Sequence, residues 1–319
     1  MIQPSLSEHA EPGPGPRPAR DRAGFARVAL VTCAALPDLD SDDRLLTGPL
    51  AALGISAEPV TWDDPAVDWG GYQLAVVRST WDYARRRDEF VAWTRRVPRL
   101  LNPSDVIAWN TDKSYLGELA AAGAPVVPTV WLAPGATWTT LDTERHPDTG
   151  RHWVVKPAVS AGSLDTGRYD LADPVHRRLV AAHLARLHAA GRVAMMQPYL
   201  PAVDDHGETS LLYFGGRYSH AIRKGPMLAG PDDAQPTLYR PEEISPREPS
   251  AAEHEAARRV LAAVPGADEL LYARVDLIPG PDGEPLLIEL ELTEPSVFLG
   301  YGEGAAQRFA AAIASRLAS

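Results

Sequence analysis

The clearest alternation of apolar and polar positions runs from Tyr272 to Leu292. Successive strand side chains point to opposite faces, so Ala273, Val275 and Leu277 share one side and Arg274 and Asp276 the other. After a turn of Pro, Gly and Asp over Pro279–Gly283, Leu286, Ile288, Leu290 and Leu292 alternate with Glu289 and Glu291. The pattern predicts a hairpin with one buried apolar face, and register then gathers Arg274 and three carboxylates on the opposite face. Upstream, Arg27–Thr32, residues 55–60 and Tyr72–Arg78 read as strands, with a helix over 42–53 closed by Gly54. This β-α-β order predicts a small open sheet with helices packed on it.

Further along, Asn110–Ala122 reads as a helix ending at Gly123, and Pro125–Trp131 as a strand. Strands follow at His152–Lys156 and Val193–Gln197, around a helix near 173–190. The last third mixes strands Thr209–Phe214, Tyr218–Ile222 and the hairpin with helices at 250–264 and 303–317. The fold class is α+β with more than one sheet. Residues 1–26, rich in Pro, Gly, Ala and Arg, read as a disordered tail.

Composition narrows the field. A chain of 319 residues, 45% hydrophobic and 23% charged, is that of a globular protein of two or three domains. A net charge of −11 argues against a nucleic-acid or membrane-surface binder, and no apolar run is long enough to span a bilayer. The one cysteine, Cys33, lies in an apolar strand; it excludes an internal disulfide, suits the cytoplasm and is a poor nucleophile. The histidines show no zinc-ligand spacing.

Three stretches carry candidate chemistry. Asp276, Glu289 and Glu291 would repel one another unless a cation sat among them, and oxygen-only ligands favour magnesium or manganese. Glu294 reads as a fourth acid or a turn cap before Pro295. In Trp153–Ser163 an apolar strand delivers Lys156 and then a loop of small residues, Ser160, Ala161, Gly162 and Ser163, over which backbone amides can approach a polyphosphate. Read alone, such a stretch is more often an ordinary strand end. Ala194–Leu200 is a strand stopped at Pro198, either an edge strand or a hinge that offers Gln197 to a base.

Taken in order, these parts resemble the ATP-grasp superfamily over roughly residues 109–300. The resemblance implies two α+β lobes around ATP, preceded by a Rossmann-like pre-ATP-grasp domain. The divisions expected are 27–108, 109–197 and 198–319. It implies that Lys113 and Lys156 hold phosphates with the 160–163 loop, that Gln197, Tyr199 and Leu200 meet the adenine, and that Glu208 meets the ribose. Asp276, Glu289 and Glu291 match the magnesium ligands, Arg274 the arginine that steadies the acyl group, and Lys224 a phosphate contact. The third metal position is often asparagine in the family, and here it is Glu291.

Shorter phrases, Arg78–Tyr83, Trp109–Lys113 and His220–Lys224 among them, are similar to a glutathione-synthetase-like branch. That branch includes the O-ureido-D-serine cyclo-ligase of D-cycloserine biosynthesis. The implied reaction activates a small amino-acid-like carboxylate as an acyl phosphate for attack by nitrogen, with ATP and Mg2+ (or Mn2+). Arg78, Ser79, Thr80 and Asp82, at a strand's carboxyl end, are the expected substrate contacts. A helix cap is the competing reading there. An intermolecular amide ligase, a small-molecule kinase, a binding module and a metal hydrolase stay open, and a homodimer is compatible with the sequence.

Overall fold

The computed structural model describes residues 24–136, 150–228, 230–232 and 243–318. The expected tail lies outside these residues as far as residue 23. Three sheets follow one another along the chain. The first holds β1 (Ala26–Thr32), β2 (Ile55–Thr61), β3 (Leu74–Ser79) and β4 (Leu100–Leu101), all parallel in the order β2-β1-β3-β4. Every residue of β3 is buried, as a strand covered on both faces requires. The helix expected over 42–53 begins as a single 3-10 turn at Asp43–Leu46 and continues as α1 (Thr47–Ala52). Gly54 follows with φ +70°, the left-handed step that glycine takes without strain. A helix that periodicity did not announce, α2 (Arg87–Thr94), packs Phe90 and Trp93 against Trp62.

The helix expected over 110–122 is two helices, α3 (Ser104–Asn110) and α4 (Tyr115–Ala121). Side chain–backbone bonds win over helix continuation here. The Asn110 amide donates to Leu290 O (2.8 Å) and accepts from Leu292 N (2.8 Å), while Lys113 N donates to Ala158 O (2.8 Å). Lys113 therefore leaves a break between helices and not a helix face.

The second sheet is antiparallel, order β5-β8-β6-β7, from β5 (Val130–Leu132), β6 (His152–Pro157), β7 (Gly167–Asp170) and β8 (Ala194–Pro198). Its helix α5 (Pro174–Ala189) is capped by Asp173, which accepts from Val175 N at 2.7 Å, with Pro174 at the first position. The strand expected over Pro125–Trp131 is shorter, because Pro125 and Val127 bond instead to Leu287 of the third sheet.

The third sheet follows a short helix α6 (Ala202–Asp205) and runs β11-β10-β9-β12-β13. Its strands are β9 (Glu208–Phe214), β10 (Arg217–Lys224), β11 (Ile244–Arg247), β12 (Tyr272–Pro279) and β13 (Pro285–Glu291). One face packs on α4 and on α7 (Ala251–Ala262), which a Ser250/Glu253 capping box starts. The other face is split. Leu212, Phe214 and Tyr272 pack under α8 (Ala305–Leu317) and the first sheet, with Phe309 stacked on Phe214 at 4.4 Å. Arg274 continues that face into a cavity's wall, with Asp276 behind it.

The hairpin departs from strict alternation at one point. Asp276 pairs with Glu289 but Leu277 with Leu287, so Ile288 is an extra residue on β13. Leu287 thus joins the core beside Leu277, and Leu286 and Ile288, expected there, turn to the other side with Ile278.

Candidate active site

Arg274 lies opposite Glu291 and Asp276 opposite Glu289, so the face expected from alternation is formed. The Arg274 guanidinium reaches Asp276 through Nε (2.9 Å) and Nη2 (2.9 Å), and also bonds Glu291 and Ser296 O (3.1 Å). Lys224, at the end of β10, places Nζ 3.0 Å from Asp276 and 3.2 Å from Glu208. Burial pushes the Asp276 carboxyl up, but Arg274 and Lys224 override it and hold it well below the usual range. Glu289 meets Lys113 at 3.1 Å; burial is again overridden, by Lys113 and Lys156, and its pKa is lowered. Glu291 goes the other way, to about 7, because burial outweighs Arg274 and Glu289 and Asp276 add to it.

All of these but Asp276 line a cavity of about 490 Å³ between the three sheets. Lys156 leaves the end of β6 into it, and burial lowers its pKa against the pull of Glu289. Lys113 donates to Ser160 O at 2.7 Å, which ties the small-residue loop to the α3–α4 break. Gly162 and Ser163 both have positive φ (60° and 58°), the kind of turn that leaves backbone amides unshielded by side chains. Asp165, just beyond, is held by Arg186 and Arg192. At the opposite end the wall is apolar: Val127, Val154, Leu200, Val203, Ile278 and Ile288. Here Gln197 donates to Thr129 Oγ1 (3.0 Å), which fixes the amide and turns its oxygen to acceptor duty. The Tyr199 ring lies under Arg168, and its hydroxyl donates to Asp204.

The structure brings together Lys113, Lys156, Ser160, Ala161, Gly162, Ser163, Gln197, Tyr199, Leu200, Glu208, Lys224, Arg274, Glu289 and Glu291. Asp276 stands behind this wall, its oxygens taken by Arg274 and Lys224. For that reason no three acids or histidines among the described residues converge as a ready metal cage. The donor chemistry still fits a hard divalent ion, since Glu289 and Glu291 offer only oxygen and the charge at Glu291 is under-compensated.

The expected substrate contacts are corrected. Arg78, Ser79, Thr80 and Asp82 do not line the cavity. Arg78 is fully buried, with Nε 2.8 Å from Asp43 and Nη2 donating to Pro295 O at 2.5 Å. Ser79 Oγ donates to the same Asp43, Thr80 is buried, and Asp82 accepts from Trp62 Nε1. The cavity instead takes Trp81 and Tyr83 from this segment, together with Asp42, Glu294, Ser296 and Phe298. The expectation that ligands gather at a strand's carboxyl end pointed to this segment but not to its inward side chains, because the chain turns into a 3-10 helix at Trp81–Arg85. Glu294 is a cavity acid, not a turn cap. Burial and Glu291 push it up to about 8, against Lys113 and a hydrogen bond from Tyr83.

Comparison with known proteins places this architecture. The overall fold matches a D-alanine–D-alanine ligase from Bacillus anthracis with TM-score 0.61 at 15% identity, over 92% of this chain and 97% of that one. It also matches an ATP-grasp RimK domain protein from Sphaerobacter thermophilus at TM-score 0.62 and 18% identity, over 90% and 98%. The fold is therefore that of the ATP-grasp ligases. Residues 28–102 match the family described as D-cycloserine synthetase DcsG, N-terminal domain. Cycloserine biosynthesis protein DcsG of Streptomyces lavendulae is 42% identical over 300 residues, 91% of this chain and 98% of that protein. The crystal structure of D-cycloserine synthetase DcsG superposes with TM-score 0.81 at 38% identity, covering 92% and 100%. The chain belongs to the DcsG family of ATP-grasp ligases, enzymes that form carbon–nitrogen bonds.

Proposed function

We propose that this enzyme uses ATP to activate the carboxylate of O-ureido-D-serine and closes it on its own nitrogen, as a cyclo-ligase of D-cycloserine formation. The observation that carries the reading is one cavity joining an apolar slot to Lys113, Lys156, Lys224 and Arg274. That layout suits a base at one end and a polyphosphate meeting a carboxylate at the other. Gln197, Tyr199 and Leu200 take the adenine, Glu208 the ribose, and Lys113, Lys156 and the 160–163 loop the phosphates. Asp276, Glu289 and Glu291 would hold Mg2+ (or Mn2+), Asp276 only by giving up a bond to Arg274 or Lys224, and the ion would offset phosphate charge. The units performing these roles are 27–108, 109–197 and 198–319.

The carboxylate oxygen takes the γ-phosphoryl group and ADP departs. The nitrogen then attacks the acyl carbon; a C–N bond forms, the C–O bond to phosphate breaks, and the nitrogen loses its proton. Release of cycloserine further requires loss of the carbamoyl group to water. Bringing two anions together is the main barrier, and the buried lysines and Arg274 lower it where water screens them least. Arg274, between Asp276 and Glu291, is fixed before substrate arrives. As for compartment, no described helix is long and apolar enough to cross a membrane, and we place the enzyme in the cytoplasm.

Incubation with Mg2+, ATP and O-ureido-D-serine, followed by mass spectrometry, tests this. Cycloserine with stoichiometric ADP is expected. A phosphorylated, uncyclised product that survives would replace the ligase with a kinase, and no ADP would reject this substrate.

A further inference from the structure

Beyond the nucleotide half, the cavity continues between the segment leaving β13 and the first sheet's loops, where Asp42, Trp81, Tyr83, Glu294 and Phe298 face it. Glu294 is only 8% exposed, yet it forms no ion pair among the described residues, and it shares the cavity wall with buried Tyr83. The main chain around it is held from several sides. Trp81 Nε1 donates to Glu294 O (3.1 Å), Arg78 to Pro295 O and Arg274 to Ser296 O. Across the lobe, Asp42 Oδ1 accepts from Gly300 N (3.1 Å), while its Oδ2 is buried with no hydrogen-bond partner among the described residues.

Buried carboxylates without a cation are costly, and a rigid mount keeps Glu294 from escaping to water. An acid oxygen in a cavity wall with no partner among the described residues leaves room for an N–H donor from a bound molecule. The lobe's position adds a constraint. Glu294 is three residues beyond Glu291 and interacts electrostatically with Glu291, Glu289 and Lys113, so it adjoins the place where the carboxylate is activated. In an α-amino acid the amine is one carbon from that carboxylate.

We propose that Glu294, with Tyr83, recognises the α-ammonium group of the substrate, and that Asp42 accepts an N–H from the substrate's far end. The assignment deepens the ligase reading, on which it rests. It makes the lobe selective for carboxylates that bear a free α-amine, with the aromatic rings of Trp81 and Phe298 shielding the pair from water.

The test is binding, measured by calorimetry with ADP and Mg2+ present, for O-ureido-D-serine and for its des-amino analogue, 3-(ureidooxy)propanoate. Wild type is expected to prefer the amine-bearing compound by at least about tenfold, the worth of one charge-assisted hydrogen bond. Glu294→Gln, nearly isosteric, should lose that preference while its ADP affinity stays within about twofold. Asp42→Asn should weaken both compounds alike, since both carry the ureido N–H groups. Unchanged preference in Glu294→Gln, an equal loss toward the des-amino analogue, or no binding of O-ureido-D-serine to wild type would each overturn the assignment. ADP release, followed in parallel, reports on the ligase reading separately: turnover with preference intact in Glu294→Gln removes the subsite and leaves the ligase standing.

Discussion

At the scale of single residues, several buried charges are matched in pairs, and each pair makes its own demand. Glu289 answers Lys113 directly and lowers the cost of keeping Lys156 charged while buried. Glu289→Gln keeps size and hydrogen bonding but removes that charge, and we predict that ATP turnover is abolished while circular dichroism stays native. Turnover near the wild-type rate at saturating Mg2+ would contradict the role. Arg78 makes a different demand, for stability. Arg78→Met leaves Asp43 buried without its cation, at a cost of about 3–5 kcal/mol in urea denaturation. An intact unfolding midpoint with a raised KM would restore Arg78 to the substrate. Both residues stand out in the sequence, but only the placement of Glu289 was legible there. Glu289 sits in an alternating hairpin whose faces follow from period two. The partner of Arg78 lies 35 positions earlier, at the start of a 3-10 turn, and no local pattern records it.

At the scale of elements, the run Thr293–Phe298 is neither helix nor strand, yet its carbonyls are pinned one after another. Tyr272 holds Thr293 O (2.8 Å), Trp81 Glu294 O, Arg78 Pro295 O, Arg274 Ser296 O, and His220 Nε2 reaches Val297 O (3.0 Å) and Phe298 O (3.1 Å). His220→Leu should therefore cost about 1–3 kcal/mol at pH 7.5, the price of orphaning buried acceptors. Burial lowers the His220 pKa from 6.5, against the pull of those two carbonyls. Below about pH 6.5 the unfolded chain binds the proton and the native site resists it, so this histidine's contribution falls with pH. The stability gap between His220→Leu and wild type should then narrow from pH 7.5 to pH 5.5 in paired urea titrations; a widening gap would contradict the assignment. Sequence patterning found most regular elements and failed where side chains bond to distant backbone. Asn110 breaks one expected helix by bonding β13, and the Ile288 bulge turns two leucine-family positions about, since a bulge leaves no mark on an alternating apolar run.

At the scale of the whole molecule, three sheets share one cavity, and α8 ties the first to the third through Phe309 and Ile313. A ligand bound there bridges all three units and should stabilise them together. ADP with Mg2+ at a hundred times its Kd adds about 2.7 kcal/mol, read as a raised Tm, and Lys156→Ala should abolish the increase. An equal shift in the variant would move the nucleotide elsewhere. The order of lysine, loop, hinge and carboxylate hairpin was visible along the chain because each is local. The closing of the third sheet against the first was not, since it depends on contacts between residues some 200 positions apart, such as Tyr272 with Val77. The central claim is that the substrate carboxylate is activated by phosphorylation, and oxygen-18 in that carboxylate tests it most directly. The account predicts one labelled oxygen in the inorganic phosphate released with the ring product. Phosphate free of label, beside cyclised product, would contradict it.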